Sequence, residues 1–350
     1  MLARFTIIFS VFLGLLVAIL PNILWLIGWV IGKCCHYSLP YAPFGWTSLG
    51  LVLFVWTLVA YSYLVGRWQM ETNKVTANSP MLPASFNGYR VVHISDFHLS
   101  TFDGKPEKVQ RLVDAVNAEQ PDLICFTGDL VTLGTNEAAP FTDILKQLHA
   151  KDGVMSVLGN HDFLLYNRSF RQARENYEED KLTDPMALRL ANSEAREAEV
   201  ECLAAYQRDT LGWVLLRNEH HVIHRGTDSM TIIGVDNTQG GEQGFSTINN
   251  GDLGKAMENT DGYRILLTHD PSHWEAEVLH KTDIPLTLSG HTHSAQVRLF
   301  GWNPASWMFH QSWGKYIVDD QTIYVNAGLG CTMPIRLNCP SEITVITLQQ

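Results

Sequence analysis

"GVMSVLGNHDF", Gly153 to Phe163, is the stretch on which the fold turns. Its apolar half reads as a short buried strand. Its second half, Gly159-Asn160-His161-Asp162, sets an amide, an imidazole and a carboxylate directly after that strand. Asn or Asp beside glycine is ordinary turn chemistry when it stands alone. Here it recurs. Upstream, "YRVVHISDFHLS" (89–100) is an apolar run ending in Asp96 and His98, which strand alternation sets on one face. "AEQPDLICFTGDLVT" (118–132) is a buried strand that stops at Gly128-Asp129, behind a helix predicted over about 105–119 from the spacing of Val109, Leu112, Val113 and Val116. Downstream, "YRILLTHDPSHW" (263–274) ends a strand at His269, and "DIPLTLSG" (283–290) supplies another strand before His291 and His293.

Five apolar strands thus deliver Asp, Asn or His from their carboxyl ends, the edge at which ligands gather in open α/β sheets. Carboxylate and amide oxygens mixed with imidazoles suit Mn, Fe or Zn. The six cysteines form no CxxC pair and read as reduced thiols, with Cys125 as small core filling. A net charge of -11 and the lack of a Lys/Arg stripe argue against a nucleic-acid partner.

The first 69 residues are a different material. No charged residue interrupts 5–32, and a second uncharged run covers 44–66, each long enough for a helix to cross a bilayer core of about 30 Å. Pro21 and Asn22 mark a kink or interfacial break in the first. The short connection holds one fixed positive charge, Lys33, whereas Arg4, Arg67 and Lys74 flank the outer ends, so the positive-inside rule places both termini in the cytoplasm. The expected organisation is a membrane hairpin (1–69), a polar linker (70–84) and a catalytic domain (85–350). Within that domain, a charged, helix-forming insertion at about 163–211 is read as a cap over the strand ends.

The ordered set D-x-H, G-D, G-N-H-D, H and G-H-x-H resembles the calcineurin-like metallophosphoesterase family, and the tail "YVNAGLGCTMPIRLNCPSEITVITL" resembles its membrane-anchored bacterial branch. The resemblance covers roughly Ser85 to the end. It implies an α/β fold, a four-layer αββα sandwich of two mixed sheets holding two divalent metal ions, with Mn favoured. By similarity Asp129 bridges both metals; Asp96, His98 and His293 complete one site, and Asn160, His269 and His291 the other. Two such cations lower the pKa of a shared water until hydroxide can attack phosphorus. His161 protonates the leaving oxygen with Asp162 orienting its ring, although Asp162 also suits a simple helix cap. Asn326 and Arg336 are expected to face the site, the arginine gripping a second phosphate.

"GDLVT" lacks the arginine that protein Ser/Thr phosphatases carry after this motif, and Thr132 replaces the tyrosine ligand of purple acid phosphatases, so the metals read as divalent rather than ferric. His93 reads as structural, while His273 and the cluster His220, His221 and His224 receive no role. The expected activity is hydrolysis of a phosphodiester or pyrophosphate at the inner membrane. The substrate would be lipid-linked, such as UDP-2,3-diacylglucosamine. The alternatives are a broad phosphomonoesterase or nucleotidase, and a non-catalytic metal-binding membrane protein.

Overall fold

The computed structural model describes residues 2–102, 104–163, 196–244 and 248–350. Two long helices come first, α1 (Leu2–Cys34) and α2 (Ala42–Leu64). Both are long and apolar enough to cross a membrane, and most of their side chains are uncovered by protein. Helix α1 continues through Pro21. Just after it, Asn22 bonds Ala18 O at 2.7 Å and Ser48 Oγ at 3.0 Å and receives Tyr41 OH at 2.8 Å, which ties the two helices by polar groups where apolar packing alone gives no register.

The rest is built from β1 (Met70–Asn78), β2 (Arg90–Ile94), β3 (Leu123–Phe126), β4 (Val154–Ser156), β5 (Val214–Leu215), β6 (Glu219–Arg225), β7 (Asp228–Gly234), β8 (Tyr263–Leu267), β9 (Leu286–Ser289), β10 (Gly314–Val318), β11 (Gln321–Val325) and β12 (Ser341–Gln349). They form two six-stranded sheets, ordered β1-β12-β2-β3-β4-β5 and β10-β11-β9-β8-β7-β6. Both are mixed: β2, β3, β4 and β5 run parallel, as do β7, β8, β9 and β11, with β12, β6 and β10 reversing direction against β2, β7 and β11.

Strand alternation sorts the core into layers. Val91, Leu123, Cys125, Ile265 and Leu267 meet between the sheets, whereas their neighbours Val92, Ile94, Ile124 and Phe126 face outward onto α3 (Pro106–Ala118). Helix α3 buries the four residues read from the sequence, Val109, Leu112, Val113 and Val116. At roughly 1.5–3 kcal/mol per fully buried aliphatic side chain, that stripe anchors the helix, and Val113→Asp would undo it. On the far side, Trp274, Val278 and Ile284 cover Leu266 and Ile323. Helix, sheet, sheet and helix therefore stack in the four layers expected.

The stretch read as a linker differs. Met70–Asn78 is an edge strand paired in parallel with β12 from Met70↔Ser341 to Asn78↔Gln349. Its polar alternation is that of a strand with one wet face, and its partner lies at the far end of the chain, out of reach of any local pattern. Most of the 163–211 insertion lies outside the described residues. Its last part, 196–205, is helical, and Val200, Leu203 and Ala204 pack into the outer core of the first sheet.

Candidate metal centre and its pocket

The loops after β2, β3, β4, β8 and β9 converge at the carboxyl edge of both sheets. They turn sharply: Asp96, His98, Asp129, His291 and His293 all have positive φ, between 44° and 71°. Left-handed backbone is costly for side chains other than glycine and persists where the surroundings impose it. Two glycines make room for the crowding. A Cβ on Gly159 would stand 2.2 Å from Asp129 Oδ1, and one on Gly290 would stand 2.3 Å from Asp96 Oδ2.

The donor atoms interlock across these turns. Asp129 Oδ2 lies 3.4 Å from His98 Nε2 and 3.2 Å from His269 Nε2. On one side His293 Nε2 is 3.1 Å from His98 Nε2 and 3.2 Å from Asp96 Oδ1. On the other, Asn160 Oδ1 is 3.1 Å from His269 Nε2 and 2.8 Å from His291 Nδ1, and the two imidazoles approach to 3.2 Å. Ligands bonded at about 2.1 Å to a four- to six-coordinate cation stand about 3.0–3.4 Å apart. The spacings match, and the neighbours of buried Asp96 Oδ1 are the imidazoles of His293 at 3.2 Å and His98 at 3.8 Å. The residues fit two divalent cations, with Asp129 placed to serve both.

Electrostatics favour the same occupant. Burial alone would raise the pKa of Asp96 and Asp129, but the surrounding imidazoles, His293 first for Asp96 and His269 first for Asp129, hold both well below the usual carboxylate range. Burial opposes charge on His269 too, yet Asp129 outweighs it and pushes the ring up to about 10. Burial lowers His161 and His291 and keeps them neutral. Among the described residues no Lys or Arg pairs with Asp96 or Asp129, whose ionic neighbours are the imidazoles of His98, His269 and His293, a donor set that suits a divalent cation.

The family signature of calcineurin-like phosphoesterases matches residues 89–295. The chain belongs to this family. It is a metal-dependent phosphoester hydrolase, of a family that uses a dimetal centre. Its relatives include the uncharacterized metallophosphoesterase YkuE of Bacillus subtilis, 28% identical over 80% of this chain and 86% of the relative. A transmembrane protein with metallophosphoesterase domain from Danio rerio is 30% identical over 77% of this chain, which spans 55% of that longer protein. The UDP-2,3-diacylglucosamine pyrophosphatase LpxG of Chlamydia trachomatis is 27% identical over 85% of this chain and 97% of its own length. The two apolar helices fit a membrane-anchored form of the family.

Three sequence expectations about the site meet a different geometry. Asp162 does not orient the His161 ring: its carboxylate accepts the backbone N–H groups of Asp129, Leu130, Val131 and Gly159 at 2.7–3.2 Å. Burial and the Asp129 carboxylate push Asp162 up to about 7, against the pull of those amides. The His161 ring is set instead by Nδ1–H donating to Thr132 O at 2.9 Å. Arg336 and Asn326 do not face the pocket. The buried guanidinium donates to the carbonyls of Ala327, Gly328, Gly330, Cys339 and Pro340, and Asn326 bonds Gly328 N and Thr344 Oγ1. Together they shape the closing loop whose Gly330 N–H reaches Asp96 O at 2.7 Å, behind the ligands.

Other supports escaped the sequence reading. Thr127 O accepts His269 Nδ1–H at 2.7 Å and aims Nε2 at the centre, while Asp270 Oδ2 sits 3.6 Å from His291 Nε2. The residue after His269 was the available signal for Asp270. Glu137 accepts the amides of Ser100, Thr132, Leu133 and Gly134 and so holds the loop that carries the His161 anchor. His93 and His273 are buried and bonded to Thr127 Oγ1 and Thr268 Oγ1.

Beside the centre lies a cavity of about 520 Å³. Its lining combines Asp129, Asn160, His161, His291 and His293 with the apolar side chains of Trp307, Met308, Phe309 and Met333, and the Phe309 ring meets the His291 ring edge-on at 5.5 Å.

Proposed function

We propose that the chain is a membrane-anchored dimetal phosphoesterase that cleaves phosphodiester or pyrophosphate bonds in a lipid-linked substrate. An envelope lipid precursor such as UDP-2,3-diacylglucosamine fits this reading. The observation that carries the proposal is the pocket's mixed lining, the candidate ligand residues together with Trp307, Met308, Phe309 and Met333, in a volume of about 520 Å³ that suits a headgroup and the start of an acyl chain. The naming of LpxG among the relatives and the two apolar helices support it. The charge pattern around the helices favours the inner membrane with the catalytic domain on the cytoplasmic face.

Asp96, His98 and His293 would hold one cation, Asn160, His269 and His291 the other, and Asp129 both, with Mn favoured. The cations would supply a water acidic enough to act as nucleophile near neutrality and neutralise charge on the phosphoryl oxygens. The protein's own contribution is position. Left-handed turns hold the donors before substrate arrives, and half-buried His161, its ring fixed by Nδ1–H donating to Thr132 O, lines the pocket, where its Nε2 would take the proton released by the attacking water and pass it to the leaving oxygen. The apolar lining holds the lipid end and excludes water beside the centre.

The deciding assay offers the full chain, in detergent with Mn, UDP-2,3-diacylglucosamine, bis-p-nitrophenyl phosphate and p-nitrophenyl phosphate. Faster turnover of the pyrophosphate lipid, yielding a nucleoside monophosphate and a lipid phosphate, is expected. Preference for the phosphomonoester would replace this reading with the broad phosphatase alternative.

A further inference from the structure

The apolar lining of the pocket is one side of a loop, residues 299–309, whose other side is bare. Phe300 is fully exposed, Trp307 is 78% exposed, and Leu299 and Trp302 are exposed beside them. Phe300 sits at the tip of a two-residue turn closed by Leu299 N–H to Trp302 O at 2.8 Å and the reciprocal bond at 2.9 Å. Its φ is +52°, followed by +85° at Gly301. Left-handed backbone is unfavourable for a bulky residue, so the turn holds a phenyl ring outward against both strain and hydration. Behind it the Trp302 and Trp307 rings meet at a tilt of 57°, centroids 5.1 Å apart.

The root of this loop is tied to the end of the apolar hairpin. Arg298 pairs with Glu71, the second residue of β1, and bonds Leu337 O through its own N–H at 3.0 Å. Arg336, one residue before Leu337, donates its backbone N–H to Ser62 O in the last turn of α2 at 3.4 Å. The aromatic tip, the pocket mouth and the exit of α2 therefore share one end of the molecule. Tryptophan and other aromatics settle at the membrane–water interface, and an exposed patch continuous with a membrane-embedded element has the bilayer as its nearest apolar partner.

We infer that the 299–309 loop is a bilayer-contacting element that seats Phe300 and the Trp302–Trp307 pair in the lipid interface. The apolar lining of the active-site pocket then opens directly onto the membrane. The inference rests on the membrane-anchored reading above but not on the identity of the phosphoester.

A nitroxide placed at Phe300→Cys in the full chain tests it. Exposed Cys34, Cys35 and Cys202 are changed to Ser, the other three cysteines being buried. In nanodiscs of phosphatidylethanolamine and phosphatidylglycerol, the label at 300 should collide more with oxygen than with an aqueous nickel chelate. A label at Thr227→Cys, in the exposed turn at the opposite end of the second sheet, should show the reverse. Equal accessibility at the two positions overturns the inference. Independently, quenching by acyl-brominated lipid should be greater for the unlabelled chain than for the W302F/W307F variant, and identical quenching overturns it as well. Neither readout involves turnover, so an embedded loop on an enzyme that ignores lipid phosphoesters would count against the substrate reading alone.

Discussion

Asp162 receives the backbone N–H of Asp129 on Oδ2 at 2.7 Å, and with three further amides it fixes the turn that presents the Asp129 carboxylate. An acid in a motif built for chemistry is here an instrument of backbone shape. Asp162→Asn replaces acceptor lone pairs with N–H donors that face amides. It should cost about 3 kcal/mol of stability and about 10- to 100-fold in metal affinity. Thermal melts with and without Mn check this; wild-type values for both would show that the amides do not depend on the charge.

Asp129→Asn should lose metal and turnover together, because an amide cannot supply anionic oxygen toward both His98 and His269. Metal analysis of the purified chain alongside diester hydrolysis measures it. Full metal content with normal rate would remove Asp129 from the bridging position.

His161→Ala should keep metal content while lowering turnover by about 10²- to 10⁴-fold, most for alkoxide-like leaving groups. A series of aryl and alkyl phosphodiesters reports the slope against leaving-group pKa. An unchanged slope would count against proton donation by this ring.

Arg336→Met should destabilise the chain by several kcal/mol, since five carbonyls lose a buried charged donor, yet leave KM for a soluble diester within about twofold. A large rise in KM at unchanged stability would restore the phosphate-gripping role that the buried position argues against.

His93 gives a pH prediction. Burial depresses it to about 3 in the fold, so between about 6.5 and about 3 the unfolded chain takes up a proton that the folded chain refuses, and stability falls as pH drops through that window. From pH 7 to pH 5 the loss attributable to this residue is about 2 kcal/mol. Denaturant titrations of wild type and His93→Gln should differ in pH dependence by that amount; parallel curves would mean that the ring is not buried neutral.

The convergence of these side chains was legible in the sequence because strand ends are local features. Each of the five runs announces its own β-strand by apolar pattern and its own ligand by the next few residues, and the fold has only to align them. The roles of Asp162 and Arg336 were not legible, because what a carboxylate or guanidinium does depends on which amides and carbonyls the surrounding turns aim at it. Glu137 gave no signal either, as its four amide partners are loop backbone. The Met70–Asn78 strand was hidden for a topological reason: a polar edge and a polar linker look alike until the partner strand is known.

That edge pairing also orders events in the life of the chain. Met70 finds Ser341 as its partner, so the first strand beyond the apolar helices stays unpaired until β12 has been made. Closure of this edge of the first sheet therefore waits for Ser341–Gln349. Nascent chains stalled before Ser341 should remain sensitive to protease at Met70–Asn78, and protection should appear only when β12 has emerged.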